Sequence, residues 1–208
     1  IQPHQVRRSN IYGIAAALRR RGFQRIGDEH LPDDPDIMRE TLRRHFRTHD
    51  VLILSGGVSM GRYDHVPRVL AELGMETVFH RIAQRPGKPM WFGVSREGPA
   101  VFALPGNPVS SLVCLTRYVL PALHGAMGLN DPPAEKIALA APVEFDLPLT
   151  WYLPVSIEYD NWGRAWARPR PTHGSGDYAA LADTDGFVEL PPGPNQWPRG
   201  YVARLYRW

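Results

Sequence analysis

Cysteine is almost absent from this sequence: among 208 residues there is one, Cys114. An internal disulfide is excluded, and the thiol lies in an apolar helical run where it reads as a buried structural group. A reducing compartment is the expected setting, which makes the protein cytoplasmic. Long apolar runs are missing as well. No stretch approaches the roughly 20 residues a bilayer span needs and no secretory leader is recognisable, so no membrane partner is expected. Charge of one sign is not in strong excess, since 24 Lys and Arg stand against 21 Asp and Glu. The clustered arginines, such as Arg19-Arg20-Arg21 and Arg43-Arg44, have no aromatic platform beside them. They read as solvated helix faces and not as a nucleic-acid surface, and an anionic small molecule is compatible with the balance. The chain also starts at Ile1, with no strand pattern ahead of its first helix, so a piece of a longer protein is expected.

What is present is an ordinary globular composition, 43% apolar and 22% charged, with room for one large domain or two smaller ones. Its organising stretch is VLILSGGVSMGRYD, from Val51 to Asp64. The apolar run Val51–Leu54 suits a strand buried on both faces. Ser55-Gly56-Gly57 then lets backbone N–H groups approach an anion without a Cβ in the way. Val66, Val69, Leu70 and Leu73 recur at helical spacing up to a stop at Gly74, so Asp64 lies at the mouth of the loop.

Upstream, Ser9-Asn10 caps a helix on Ile11, Ile14, Ala15 and Leu18 that stops at Gly22, and Phe23–Gly27 is a short strand candidate. Asp34 caps a second helix with Pro35 at its first position and Met38, Leu42 and Phe46 on one face. Asp33 is left unexplained by capping, in a loop expected to follow a strand. His45 and His49 have the spacing of two metal ligands but no evident third, so a metal is not expected there. Met75–Ile82 reads as a strand, followed by Arg85-Pro86-Gly87-Lys88, a tight turn with a cation on either side of it that reads as a solvated basic turn or as a clamp on phosphate or oxyanion. Met90–Val94 and Ala100–Leu104 form a hairpin pattern. Pro105-Gly106-Asn107-Pro108-Val109-Ser110 then turns into a long helix whose start offers a second anion site. The alternation predicts an open, mostly parallel α/β sheet, with the loops at Asp33, Ser55–Asp64 and Pro105–Ser110 on one edge.

After Leu129-Asn130-Asp131-Pro132-Pro133 the helical periodicity vanishes. Ile137–Phe145, Trp151–Tyr159, Ala165–Arg168, Phe187–Leu190 and Tyr201–Tyr206 are strand candidates of a small all-β domain. Trp151, Trp162, Trp166 and Trp197 read as core or edge-covering residues. The predicted division is residues 1–130 and 131–208.

The joint occurrence of SGGVSMGRYD (55–64), RPGKP (85–89), LPGNPVS (104–110) and Gly174-Ser175-Gly176 followed by ADTDGF (182–187) resembles the C-terminal half of the MoeA/gephyrin E-domain family, the molybdopterin molybdenumtransferases. The resemblance runs almost from Ser9 to the C-terminus. It implies a MogA-like, three-layer molybdopterin-binding α/β domain followed by a small barrel-like β domain. It further implies insertion of molybdate into adenylylated molybdopterin in a magnesium-dependent step that releases AMP, in a full-length homodimer. Asp33 and Asp64 would hold the metal or position molybdate, and Lys88 with Arg85 would neutralise phosphate and oxyanion charge. Gly56, Gly57 and Ser59, after Ser55, would cradle the pterin phosphate. Asn107 and Ser110, in the turn with Pro105, Gly106 and Pro108, would orient the pterin, and Ser175 would reach in from the second domain. The sequence departs from the family pattern where Arg85 replaces a lysine and Pro154 an arginine. The family's opening strand and two N-terminal domains are absent, so this piece alone is not expected to turn over fully. A non-catalytic molybdopterin-binding or scaffold paralogue is the alternative. The related adenylyltransferase fits less well, having Thr-Gly where Val58-Ser59 stands and no β domain.

Overall fold

A computed structural model describes residues 9–58, 65–130, 133–172, 174 and 176–208. Helix α1 (Ser9–Arg20) buries Ile14 and Leu18, and α2 (Pro35–Phe46) buries Met38 and Leu42. The start of α2 follows from its sequence: Asp34 Oδ1 accepts from the N–H groups of Asp36 (2.9 Å) and Ile37 (3.0 Å), and Pro35 occupies the first turn, where an N–H has no helical partner. Strand β1 (Val51–Ser55) leads to α3 (Val66–Glu72). That helix ends with Gly74 N–H donating to Ala71 C=O and Met75 N–H to Leu70 C=O, both at 3.0 Å, the paired closure expected of a glycine just past the last turn. Next come β2 (Glu76–His80), the two-residue β3 (Gln84–Arg85), β4 (Trp91–Val94) and β5 (Ala100–Leu104). Helix α4 (Pro108–Cys114) continues through a π-helical turn, Leu115–Val119, into α5 (Leu120–Ala126). The remaining strands are β6 (Lys136–Leu139), β7 (Val143–Glu144), β8 (Thr150–Tyr159), β9 (Ala165–Pro169), β10 (Gly186–Leu190), β11 (Gln196–Trp197) and β12 (Val202–Arg207). Among the described residues no helix is long and apolar enough to cross a membrane.

The chain forms two compact units, Ile1–Ile82 with Pro89–Ser111, and Ala83–Lys88 with Leu112–Trp208. The first unit is built on a sheet of order β1-β5-β4-β2. β1 and β5 are parallel, with Ser55 opposite Leu104. β4 and β5 form the expected antiparallel hairpin, and β2 adds antiparallel to β4 with an irregularity between Thr77 and Phe79. The sheet is therefore mixed where a mostly parallel one is predicted, because a short connection can join only antiparallel neighbours. On one face Leu52, Trp91, Val101 and Ala103 share a core with Met38 and Leu42 of α2 and Val66, Val69 and Leu70 of α3. Arg39 Nε donates to Glu72 Oε2 at 2.9 Å, tying α2 to α3.

The strand predicted at Phe23–Gly27 does not form. Phe23 N–H is taken by Leu18 C=O as α1 closes (3.2 Å), and Gln24 and Arg25 are exposed. The loop bearing Asp33 consequently does not follow a strand.

In the second unit β10, β12, β6, β9 and β8 pair in order, and β8 pairs back with β10, closing a five-stranded barrel. Leu139, Leu153, Val155, Val188, Leu190 and Leu205 fill it, together with Trp197. Alternation along β8 sends Tyr152 to the other side, where its ring meets Phe187 edge-on with centroids 5.4 Å apart. Phe187 stacks in turn on Tyr206 at 5.1 Å, and the Arg117 guanidinium lies 5.5 Å from the Tyr206 ring. β3 adds parallel to the start of β8, Gln84 opposite Thr150 and Arg85 opposite Trp151. Pro154 is buried in mid-strand, its C=O accepting from Arg170 N–H at 2.8 Å. It falls between the end of β3 pairing at Trp151 and the start of β9 pairing at Val155. Pro154 also stands opposite Phe187 in the β8–β10 ladder, but its C=O turns the other way, toward Arg170, so the N–H that proline lacks is missing from the β9 side and not from the β10 pairing. Trp197 is buried as expected, but Trp162 is 78% exposed in the β8–β9 turn, under the Arg164 guanidinium at 5.0 Å.

Candidate functional site

Two groups of the predicted residues form defined local structures, one in each unit. In the first unit, parallel pairing of β1 with β5 brings the ends of these strands together, so the loops that follow are neighbours. Gly56 N–H donates to Leu104 C=O at 3.0 Å. Ser55 Oγ lies 3.5 Å from Pro105 C=O. Gly57 has φ +69°, and a Cβ there would stand 2.7 Å from Val66 Cγ2, so glycine is required both by the backbone and by the space. Across the rim, Gly106 is close enough that a Cβ would touch Gly56 Cα at 3.6 Å. Gly106 and Asn107 are exposed, Pro108 half-buried, and Ser110 is buried. Ser111 N–H donates to Asn107 C=O at 2.9 Å, opening the helix at Pro108.

Sequence reasoning treats Asn10 as part of a cap, whereas its side chain is the tie between these loops. Asn10 Nδ2 donates to Ser55 Oγ (2.8 Å), Gly106 C=O (2.7 Å) and Ser111 Oγ (3.3 Å). Its Oδ1 is buried, with no hydrogen-bond partner among the described residues. Ser111, fully buried, also donates to Pro105 C=O. Neither residue carries a pattern in the sequence, because the partners of Asn10 lie 45 to 101 positions away.

In the second unit Arg85 and Lys88 are exposed on the turn after β3, and among the described residues neither side chain has an ion-pair partner. The Arg85–Pro86 peptide bond is cis and Gly87 has φ +98°. Beneath the turn lie Gln84, 1% exposed, and Cys114, fully buried, whose thiol burial pushes up to about 12. A group so held is not a nucleophile at neutral pH.

Asp33 is exposed beside the capping Asp34 and makes no ion pair among the described residues. Asp64, Ser59 and Ser175 lie outside the described residues. Among the described residues no three His, Cys, Asp or Glu side chains are grouped to hold a metal. Of the two aspartates singled out in the sequence, Asp33 alone lies among the described residues, as one exposed carboxylate. His45 Nε2 is engaged by Glu29 Oε2 at 2.7 Å and His49 Nδ1 by Thr48 Oγ1 at 2.8 Å.

Comparison with known proteins agrees with this architecture. Residues 1–125 match the family described as "Probable molybdopterin binding domain", and residues 136–207 that described as "MoeA C-terminal region (domain IV)". The chain is 39% identical over 206 residues to a molybdopterin molybdenumtransferase of Synechocystis sp., covering 99% of this chain and 50% of that protein. A second molybdopterin molybdenumtransferase, from Nostoc sp., is 31% identical over 198 residues, with 93% and 45% covered. Among solved structures, the molybdopterin biosynthesis MoeA protein from Pyrococcus horikosii superposes with a TM-score of 0.81 at 29% identity, over 100% of this chain and 49% of that one. The chain thus spans about half the length of the curated relatives it matches. By these matches it belongs to the molybdopterin molybdenumtransferase family, with a molybdopterin-binding domain of mixed α/β fold followed by a MoeA-type β-barrel domain.

Proposed function

We propose that this chain binds adenylylated molybdopterin and serves in the insertion of molybdate into it with release of AMP. The observation that carries the reading is the Gly56 N–H to Leu104 C=O tie, which holds two glycine-broken loops side by side at the ends of parallel strands. Such a rim offers backbone N–H groups to a phosphate. Ser55, Gly56, Gly57 and Ser59 cradle that phosphate, while Pro105, Gly106, Asn107, Pro108 and Ser110 shape the neighbouring pterin surface and Ser175 adds a hydroxyl. Arg85 and Lys88 neutralise anionic oxygens as charge redistributes. Asp33 and Asp64 would hold magnesium, which when bound supplies Lewis-acid polarisation of phosphate oxygens. The functional division is residues 1–130 and 131–208, supported by family matches at 1–125 and 136–207. The full-length protein works as a homodimer in the cytoplasm.

The test is AMP formation from adenylylated molybdopterin by the full-length protein with magnesium and molybdate. AMP is expected from the parent, and at least a hundredfold less from Asp64→Ala with its circular dichroism unchanged. Wild-type turnover in that variant would remove Asp64 from the site. Pterin binding with no AMP at saturating metal would make the protein a molybdopterin-binding module and not a transferase.

A further inference from the structure

The turn bearing Arg85 and Lys88 is exposed, yet its carbonyls are gripped from below. Gln84 Nε2 donates to Pro86 C=O at 3.0 Å, and Cys114 Sγ lies 3.8 Å from Gly87 C=O. Pro86 C=O can only accept, which fixes the orientation of the Gln84 amide and turns its Oε1 toward the Tyr118 hydroxyl, which donates to it. The Tyr118 hydroxyl in turn lies 3.3 Å from that of Tyr152 on the barrel wall. Gly87 closes the stack: a Cβ there would stand 2.5 Å from Gln84 Nε2 and 2.6 Å from Cys114 Sγ. Gln84 is among the few buried polar residues described, and both ends of its amide are engaged: Nε2 donates to Pro86 C=O and to Cys114 Sγ (3.6 Å), and Oε1 accepts from Tyr118. A buried polar network of this kind is favourable only when each member is satisfied, and it then specifies one geometry.

We infer that Gln84, Tyr118 and Cys114 are positioning residues that hold the Arg85–Lys88 cation pair in one presentation for an anionic ligand. The inference rests on the proposed role of these two cations. Among the described residues neither Arg85 nor Lys88 has an ion partner to fix it, so the backbone beneath sets where the charges stand. Pre-ordered cations stabilise charge without being reorganised when it develops, so loosening the turn weakens them without removing them.

Tyr118→Phe tests this in the 208-residue chain, because it deletes the hydroxyl and keeps the ring. Cys114 reports on the turn directly, since opening at Gly87 uncovers its thiol. Labelling by a disulfide reagent under native conditions should accelerate about tenfold in the variant, beyond any change in global unfolding measured in urea. Affinity for adenylylated molybdopterin should fall about three- to tenfold, the worth of one net hydrogen bond. That loss should vanish when Tyr118→Phe is made in an Arg85→Ala/Lys88→Ala background. Gln84→Met, which keeps bulk but none of these hydrogen bonds, is the second variant should Tyr118→Phe fold poorly. Unchanged labelling, or the same affinity loss in both backgrounds, overturns the inference. Affinity indifferent to removal of both cations overturns instead the functional reading on which it rests.

Discussion

Replacing Gly57 by alanine tests the loop after β1 where geometry is least forgiving. Two costs arise independently. At φ +69° an L-residue carries about 1–2 kcal/mol of backbone strain. The new Cβ also meets Val66 Cγ2 at 2.7 Å, and Val66 is 5% exposed in the core beneath α3, so relief requires that valine to move against packed neighbours. Overpacking of this kind costs about 1–3 kcal/mol. Gly57→Ala should thus lose about 2–5 kcal/mol in urea unfolding followed by circular dichroism. Val66→Ala alone should lose about 2 kcal/mol, through two missing methyl groups and the cavity they leave. The informative species is the double variant, where the methyl group that was struck is gone. Strain remains and the collision does not, so the combined loss should fall short of the sum by about 1–3 kcal/mol. Strict additivity would refute the clash, and a Gly57→Ala variant within about 0.5 kcal/mol of the parent would refute the requirement for glycine as well.

Three other outcomes are expected. Gly186→Ala would place a Cβ 2.0 Å from Tyr206 C=O across the β10–β12 pair, so a loss of about 3 kcal/mol or more is predicted by urea unfolding, and a loss under about 1 kcal/mol would contradict the closed barrel. Partial burial raises the Asp160 carboxyl pKa, but hydrogen bonds from Trp166 Nε1 and from Arg164 and Trp162 outweigh this and hold it at about 2. Its stabilising contribution is therefore complete above the unfolded value of about 3.9 and lost as pH falls toward 2; melting temperature should decline less steeply over that window in Asp160→Asn, and equal slopes would refute the assignment. Cys114 should resist alkylation at pH 8 in the native protein and react promptly in denaturant, whereas rapid native labelling would mean the thiol is not buried.

Elements whose cause is local could be read from the sequence. The Asp34-Pro35 start of α2, the Gly74 end of α3, the run Val51–Leu54 and the β4–β5 hairpin each carry their signal within a few residues. Phe23–Gly27 misled because its short apolar pattern has no strand beside it to pair with. β3 and β11, two residues each, exist only because distant strands complete them, and the sheet is mixed because of which strands the short loops join. In the candidate site the glycine loops were legible, since a missing Cβ is itself a message. Asn10, Gln84 and Tyr118 were not, because a side chain that ties loops together over 30 or more positions leaves no periodic trace.

The short strand Gln84–Arg85 has a practical consequence for recombining this protein with its relatives. Cutting the gene after residue 130 would export a barrel whose β8 has bare backbone at Thr150 and Trp151 and whose Tyr152 and Tyr206 have lost the helical stretch bearing Arg117 and Tyr118. A chimera that transplants the barrel with 83–88 and 112–126 keeps its shoulder covered, and it carries the donor's cation turn along with it.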